Sequence, residues 1–221
     1  MKTSVFKGYF TGVGSRETPP VILQVMELIG EVLCTLGWCG RSGLAPGADR
    51  AFYYGAQRSP AFHQIGFENY LPNDWYFNRE KFGYIKPNSD RMIFNAQAFK
   101  DVYDRAQAMA LTARGSWNGL VQSGIELHTR NAFQVMGRTL DTPSRFTVLW
   151  AEPVGRQGKV RGGTNTANVI SQKHGVEVLN LYHSTTLKKM WSMIVKHYAL
   201  LSPDGKKIFD SIKSEVEGMF T

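Results

Sequence analysis

Cysteine is nearly absent: Cys34 and Cys39 are the only two in 221 residues, too few for a disulfide framework. They flank the expected start of a strand, with no histidine or further cysteine at metal-ligand spacing nearby, and read as two buried, reduced thiols. The five histidines (His63, His128, His174, His183 and His197) are scattered, and no two have the spacing of an HExxH helix. No metal site and no bound cofactor are expected. No apolar run is long enough to span a bilayer. Residues 1–8 lack the long apolar core and small-residue cleavage site of a secretory signal, so a cytoplasmic protein without a membrane partner is expected. Runs of lysine and arginine are missing too, although 26 Lys+Arg against 18 Asp+Glu leave a net charge of +8. Charge spread in this way suits nucleic acid or a phosphorylated small molecule, and equally an ordinary basic surface.

What the chain does have is apolar residues at 43%, enough for one well-packed α/β domain of this length, and 22 glycines. Residues 6–13 read as a strand, and Pro19-Pro20 suits the first turn of a helix that runs to Gly37. Residues 38–42 form a second strand and 50–58 a second helix. This βαβα order predicts a parallel sheet flanked by helices. An aromatic-rich insertion over 59–90 interrupts the rhythm, with Glu68 to Pro72 as a third strand inside it. Helices are expected over 95–112, 123–136 and 164–174, and strands over 146–150 and 176–181. The domain is drawn over 1–182. Residues 183–221 form a C-terminal helical extension, with helices at 187–201 and 206–219, packed on or beside it.

Three glycine turns fall where a strand hands over to a helix: Gly12 to Arg16, Ser42 to Asp49, and Arg161 to Thr164. Glycine leaves backbone N–H groups open to a ligand, and a helix N-terminus adds partial positive charge at the same place. One crevice for an anionic, nucleotide-like ligand is therefore expected. Gly14, Ser15 and Arg16 would hold phosphate, or form a tight turn with Arg16 in water. In the second turn Ser42, Gly43 and Gly47 would approach the ligand, while Asp49 would cap the helix or contact a ribose hydroxyl. Arg130 and Asn131 would either reach the ligand or form a solvated helix face. Gly162, Gly163 and Thr164 fit a phosphate cradle or the end of a basic hairpin containing Arg156, Lys159 and Arg161. Trp75, Tyr76 and Phe77 would stack a base or fill a small core beneath the loop. Glu126 and Glu152 are candidate acids, with nothing in the sequence to set their geometry.

In order, Gly14-Ser15-Arg16, Ser42-Gly43 through Gly47-Ala48-Asp49 to Gly55-Ala56, Tyr70-Leu71-Pro72, Leu127-His128-x-Arg130-Asn131, Gly162-Gly163-Thr164 and Val178 to Leu181 resemble the SLOG superfamily. They look most like its DprA-like proteins of phages and plasmids. The resemblance spans residues 8–182 and implies a Rossmann-like sheet that binds a nucleotide or nucleotide-derived ligand at its strand ends. Relatives bind single-stranded DNA in recombination, hydrolyse nucleoside monophosphates to base and ribose phosphate, or sense signalling nucleotides. The hydrolases carry Pro-Gly-Gly-x-Gly-Thr-x-x-Glu, whereas this chain has Val169 in place of the glutamate, which argues for a non-catalytic binder. A single-stranded DNA-binding protein of the DprA type and a phosphoribohydrolase remain the alternatives, and homo-oligomerisation stays open. A mobile-element protein of this kind would act in the host cytoplasm.

Overall fold

The computed structural model describes residues 5–73, 76, 93–155 and 158–220. Among these residues six strands form one parallel sheet, in the spatial order Ile93–Asn95, Phe67–Leu71, Trp38–Ser42, Gly8–Gly14, Phe146–Trp150 and Glu177–Asn180. They are β1 (Gly8–Gly14), β2 (Trp38–Ser42), β3 (Phe67–Leu71), β4 (Ile93–Asn95), β5 (Phe146–Trp150) and β8 (Glu177–Asn180). Two short strands, β6 (Pro153–Val154) and β7 (Lys159–Val160), make an antiparallel hairpin after β5. The helices are α1 (Pro20–Thr35), α2 (Ala48–Arg58), α3 (Phe62–Ile65), α4 (Lys100–Arg114), α5 (Gln122–Met136), α6 (Thr164–Lys173), α7 (Ser184–Lys196) and α8 (Pro203–Gly218). The fold is α/β and Rossmann-like, as the βαβα rhythm and the family resemblance predict. Among the described residues no helix is long and apolar enough to cross a membrane.

Alternation along the strands divides the core in two. On one face Phe10, Phe67 and Val148 pack against α1 and α2, and on the other Val13, Tyr70 and Leu149 pack against α4, α5 and α6. Helices α1 and α2 approach unusually closely. A Cβ on Gly55 would fall 1.9 Å from the Glu27 carbonyl oxygen, and one on Gly30 would fall 2.3 Å from that of Phe52. Both positions therefore demand glycine, and the close fit fixes where the first turn of α2 meets the end of β1.

The strand order runs outward from β1 in both directions, toward β2 on one side and β5 on the other. Connections leaving these neighbours diverge to opposite faces of the sheet and open a crevice at their C-terminal ends. Gly14, the last residue of β1, pairs with Trp150 at the end of β5, so the first glycine turn leaves the sheet beside the segment that leads through the β6–β7 hairpin to the third.

Three departures from the sequence reading have local causes. Residues 93–95 form edge strand β4 and 96–98 a 3-10 turn, which delays the helix expected from 95 until Lys100. Helix α3 fits within four residues, too few for a periodic apolar pattern to be visible. Helix α8 begins at Pro203, with the Ser202 hydroxyl accepting the Gly205 N–H at 3.1 Å.

The C-terminal extension packs on α1. Glu31, on the buried side of α1, accepts the Ser202 N–H at 2.5 Å and pairs with Arg58 at 2.9 Å. Trp191 of α7 stacks on Phe209 of α8, with ring centroids 4.7 Å apart.

Candidate functional site

A cavity of about 410 Å³ opens at the C-terminal edge of the sheet, between the turns after β1, β2 and β5 and the inner face of α5. Gly14, Ser15 and Arg16 line it from the first turn. This turn is firmly tied: the Ser15 N–H donates to Trp150 O at 3.0 Å, and the Thr18 hydroxyl donates to Ser15 O at 2.6 Å. Gly14 is required here because a Cβ would come within 2.5 Å of Ala48. Arg16 projects outward and makes no ion pair among the described residues.

The second turn contributes differently from expectation. Ala45, Pro46 and Asp49 line the cavity, but Ser42, Gly43 and Gly47 do not. The Ser42 hydroxyl turns inward to donate to Gly12 O at 2.6 Å, joining β2 to β1. Gly43 leaves the space occupied by the Arg130 guanidinium. Gly47, with φ +93°, supplies the backbone conformation that starts α2.

Arg130 and Asn131 are only 7% exposed, which excludes a solvated helix face. Arg130 Nη1 lies 3.2 Å from the Asp49 carboxylate, while its Nε is buried with no partner among the described residues. Asp49 is itself buried at the start of α2 and also accepts the Ala45 N–H at 3.4 Å. Burial pushes the Asp49 carboxyl above its ordinary range, and the neighbouring Arg130 charge opposes that shift.

One helical turn beyond Arg130, Gln134 connects the site. With its amide oxygen toward the second turn, it accepts the Gly43 N–H at 2.8 Å, and its nitrogen donates to Asn131 Oδ1 at 2.8 Å. Asn131 Nδ2 in turn donates to Gly163 O at 3.2 Å. A chain of side-chain amides thus ties the second turn to the third. Sequence reasoning missed Gln134, although its spacing from Arg130 puts the two on one helix face.

Gly162, Gly163 and Thr164 line the opposite wall. Gly162 has φ +76°, Gly163 caps α6, and the N–H groups of Gly163 and Thr164 have no acceptor among the described residues. These are the donors that a helix N-terminus offers to an anion. The hairpin reading of this region also holds, and α6 fastens the hairpin down. Asn165 Oδ1 accepts the Val160 N–H at 3.0 Å, and Asn168 Nδ2 donates to Gly158 O at 2.9 Å. Arg161 is exposed and paired with Glu152 at 3.2 Å, and Arg156 lies outside the described residues.

The outer wall is more apolar, with Leu120, Leu127 and Tyr76. Tyr76 also belongs to the core cluster on the α1 and α2 face, so it serves as core and as cavity wall at once. Trp75 and Phe77 lie outside the described residues. His128, another lining residue, meets the Thr166 hydroxyl at 2.7 Å through Nδ1. Burial, reinforced by Arg114 and Arg130, holds its pKa down to about 4, so the imidazole is neutral at pH 7. Glu126 is buried behind the wall, bonded to Asn73 and to Gln122.

Fold and site together define a Rossmann-like α/β protein with a cavity at the reversal point of its sheet, lined by the buried Arg130 and by backbone N–H groups without an acceptor among the described residues. Set against protein-family models, curated proteins and solved structures, the chain has no match.

Proposed function

We propose that this cavity binds a nucleotide or nucleotide-derived phosphorylated ligand, and that the protein is a binding module of SLOG type rather than an enzyme. One observation carries the reading: the N–H groups at the start of α6, without an acceptor among the described residues, and the buried Arg130 line the same cavity. A buried guanidinium without a full set of acceptors is costly, and a phosphate oxygen supplies what it lacks. Asp49 pairs with Nη1 and leaves Nε without an acceptor among the described residues, and Arg16 adds a second cation at the mouth.

Enclosure favours a small molecule over a polymer, because Arg130, Asn131 and Thr164 are at most 8% exposed and a DNA strand tracks exposed cations. Val169 on α6 supplies no acid where the hydrolase motif has glutamate. Native mass spectrometry of freshly purified protein, compared with its denatured mass, tests the reading. A carried-over mass that carries phosphate and is lost in Arg130→Met supports it. The reading fails if no such mass is found and added nucleoside monophosphates do not bind.

A further inference from the structure

We infer that Tyr76 is the surface on which the planar base of the ligand lies, and that Asn73 and Glu126 are positioning residues that hold it there. This rests on the reading that a nucleotide-type ligand occupies the cavity. It adds the orientation of that ligand and the side chain that selects its aromatic part.

Sheet order supplies the first argument. Tyr76 follows the end of β3, whereas Gly162 to Thr164 follow β5, and β2 and β1 stand between them. Three steps of about 4.8 Å separate the two strand ends by roughly 14 Å. The aromatic wall and the turn that opens α6 therefore enter one cavity from strand ends on its two sides, which suits a ligand with an aromatic part and an anionic part.

Helix α5 supplies the second. From Arg130 outward to Gly124 it rises by about 9 Å. Along that length the lining changes from Arg130 and Asn131 to Leu127, Gly124 and the neighbouring Leu120. Gly124 presents no side chain and lies against Leu120, so this end of the cavity offers apolar atoms and the Tyr76 ring rather than charge.

The third argument is the way Tyr76 is held. Its N–H donates to Asn73 Oδ1 at 2.7 Å, and Asn73 Nδ2 donates to the Glu126 carboxylate. Glu126 is 8% exposed, forms no ion pair among the described residues, and takes its other contact from Gln122 at 3.3 Å. Burying a carboxylate without a cation is unfavourable. Here it fastens the loop after β3 to α5 one helical turn from Arg130, and so fixes the Tyr76 backbone relative to the helix that carries the guanidinium.

Isothermal titration with AMP, ribose 5-phosphate and inorganic phosphate tests this on the full chain and on Tyr76→Leu, Tyr76→Phe and Asn73→Ala. The expected result is a preference of at least about ten-fold for AMP over ribose 5-phosphate, the usual contribution of base stacking. Tyr76→Phe retains the preference. Tyr76→Leu, which keeps apolar volume but no ring face, loses it while binding ribose 5-phosphate as the parent does. Asn73→Ala reduces the preference without changing phosphate affinity, an effect that a merely structural role would not produce. If AMP binds and Tyr76→Leu keeps the full preference, the inference is overturned while the cavity remains a nucleotide site. If the parent binds AMP no better than ribose 5-phosphate, the inference falls without recourse to any variant. If none of the three phosphates binds, both readings fall together.

Discussion

Gly43 lies directly beneath Arg130: a Cβ at position 43 would fall 1.2 Å from Nη1 and 2.5 Å from the Gln134 amide. Gly43→Ala is therefore expected to push the guanidinium off Asp49 without any strand having to move, because the displaced atoms end a flexible side chain. Full loss of a buried partner costs about 3–5 kcal/mol, and that is the upper limit here, since Arg130 is displaced rather than deleted. Urea unfolding measures it. An unchanged midpoint would mean that the pair does not depend on this gap.

The acid limb of stability is expected to belong to His128. Its pKa is about 4 in the folded chain against an ordinary 6.5, so between these values the unfolded chain binds a proton that the folded one refuses. The contribution is complete above pH 6.5 and is lost as pH falls toward 4, by up to roughly 3 kcal/mol. Asp49 acts in the opposite sense. Its carboxyl is raised in the fold, so it adds stability as pH falls through its folded pKa toward 3.8. His128→Gln, which can still bond Thr166, should flatten the loss between pH 6.5 and 4 in unfolding midpoints measured across that range.

Ligand affinity is expected to depend on both ends of the anion cradle. Arg16→Ala and Thr164→Val should each weaken nucleoside monophosphate binding about ten- to a hundred-fold, corresponding to a lost charge-assisted bond of about 1.5–3 kcal/mol. Salt separates this from polymer binding. A mononucleotide should give a shallow dependence, whereas single-stranded DNA would lose roughly 0.7 log unit of affinity per log unit of salt for each phosphate contact. Tight binding of labelled oligonucleotides that grows with length and falls steeply with salt would favour the DNA reading.

Catalysis gives a further test. Incubation with nucleoside monophosphates should release no free base above a protein-free control. Base release that disappears in Arg16→Ala and Thr164→Val would show that another group does the work of the missing glutamate. Glu126 is not the obvious substitute, since its carboxylate is engaged with Asn73 and Gln122 behind the wall.

Removing the carboxylate of Glu31 should loosen the C-terminal extension. Glu31→Ala leaves the Ser202 N–H without its acceptor and takes one of two carboxylates from Arg58. The loss should approach about 3–5 kcal/mol in urea unfolding. Glu31→Gln keeps an oxygen for Ser202 and should cost less. Equal stability of parent and alanine variant would show that the extension is held by its apolar face alone.

The βα rhythm is readable from different cues: 38–42 lies between Gly37 and Gly43, and 146–150 is a short, mostly apolar run, and the two coincide with β2 and β5. The edge is not readable in this way: β4 has three residues, too few to show alternation. At the site, glycine spacing locates the turns but not which of their atoms face the cavity. Gly43 looks like a phosphate contact in sequence, and only the approach of Arg130, 87 positions later, makes it a support. Asn73 and Glu126 meet across 53 positions, and no local pattern links them. The burial of Arg130 and Asn131 is equally invisible, because two polar residues on a helix look the same wet or dry until the sheet beneath them is known.

The amide chain from Gly43 through Gln134 and Asn131 to Gly163 has a direction, since every N–H along it points toward the third turn. Hydrogen bonds aligned head to tail polarise one another, each strengthening the next. The last acceptor, the Gly163 carbonyl, shares its peptide unit with the Thr164 N–H at the start of α6. Electron density drawn onto that oxygen leaves the attached N–H more acidic. The second turn, which scarcely faces the cavity through its glycines, thereby sharpens a donor on the far wall, and replacing Gln134 with an isosteric residue unable to pass on the polarisation would dull it from a distance.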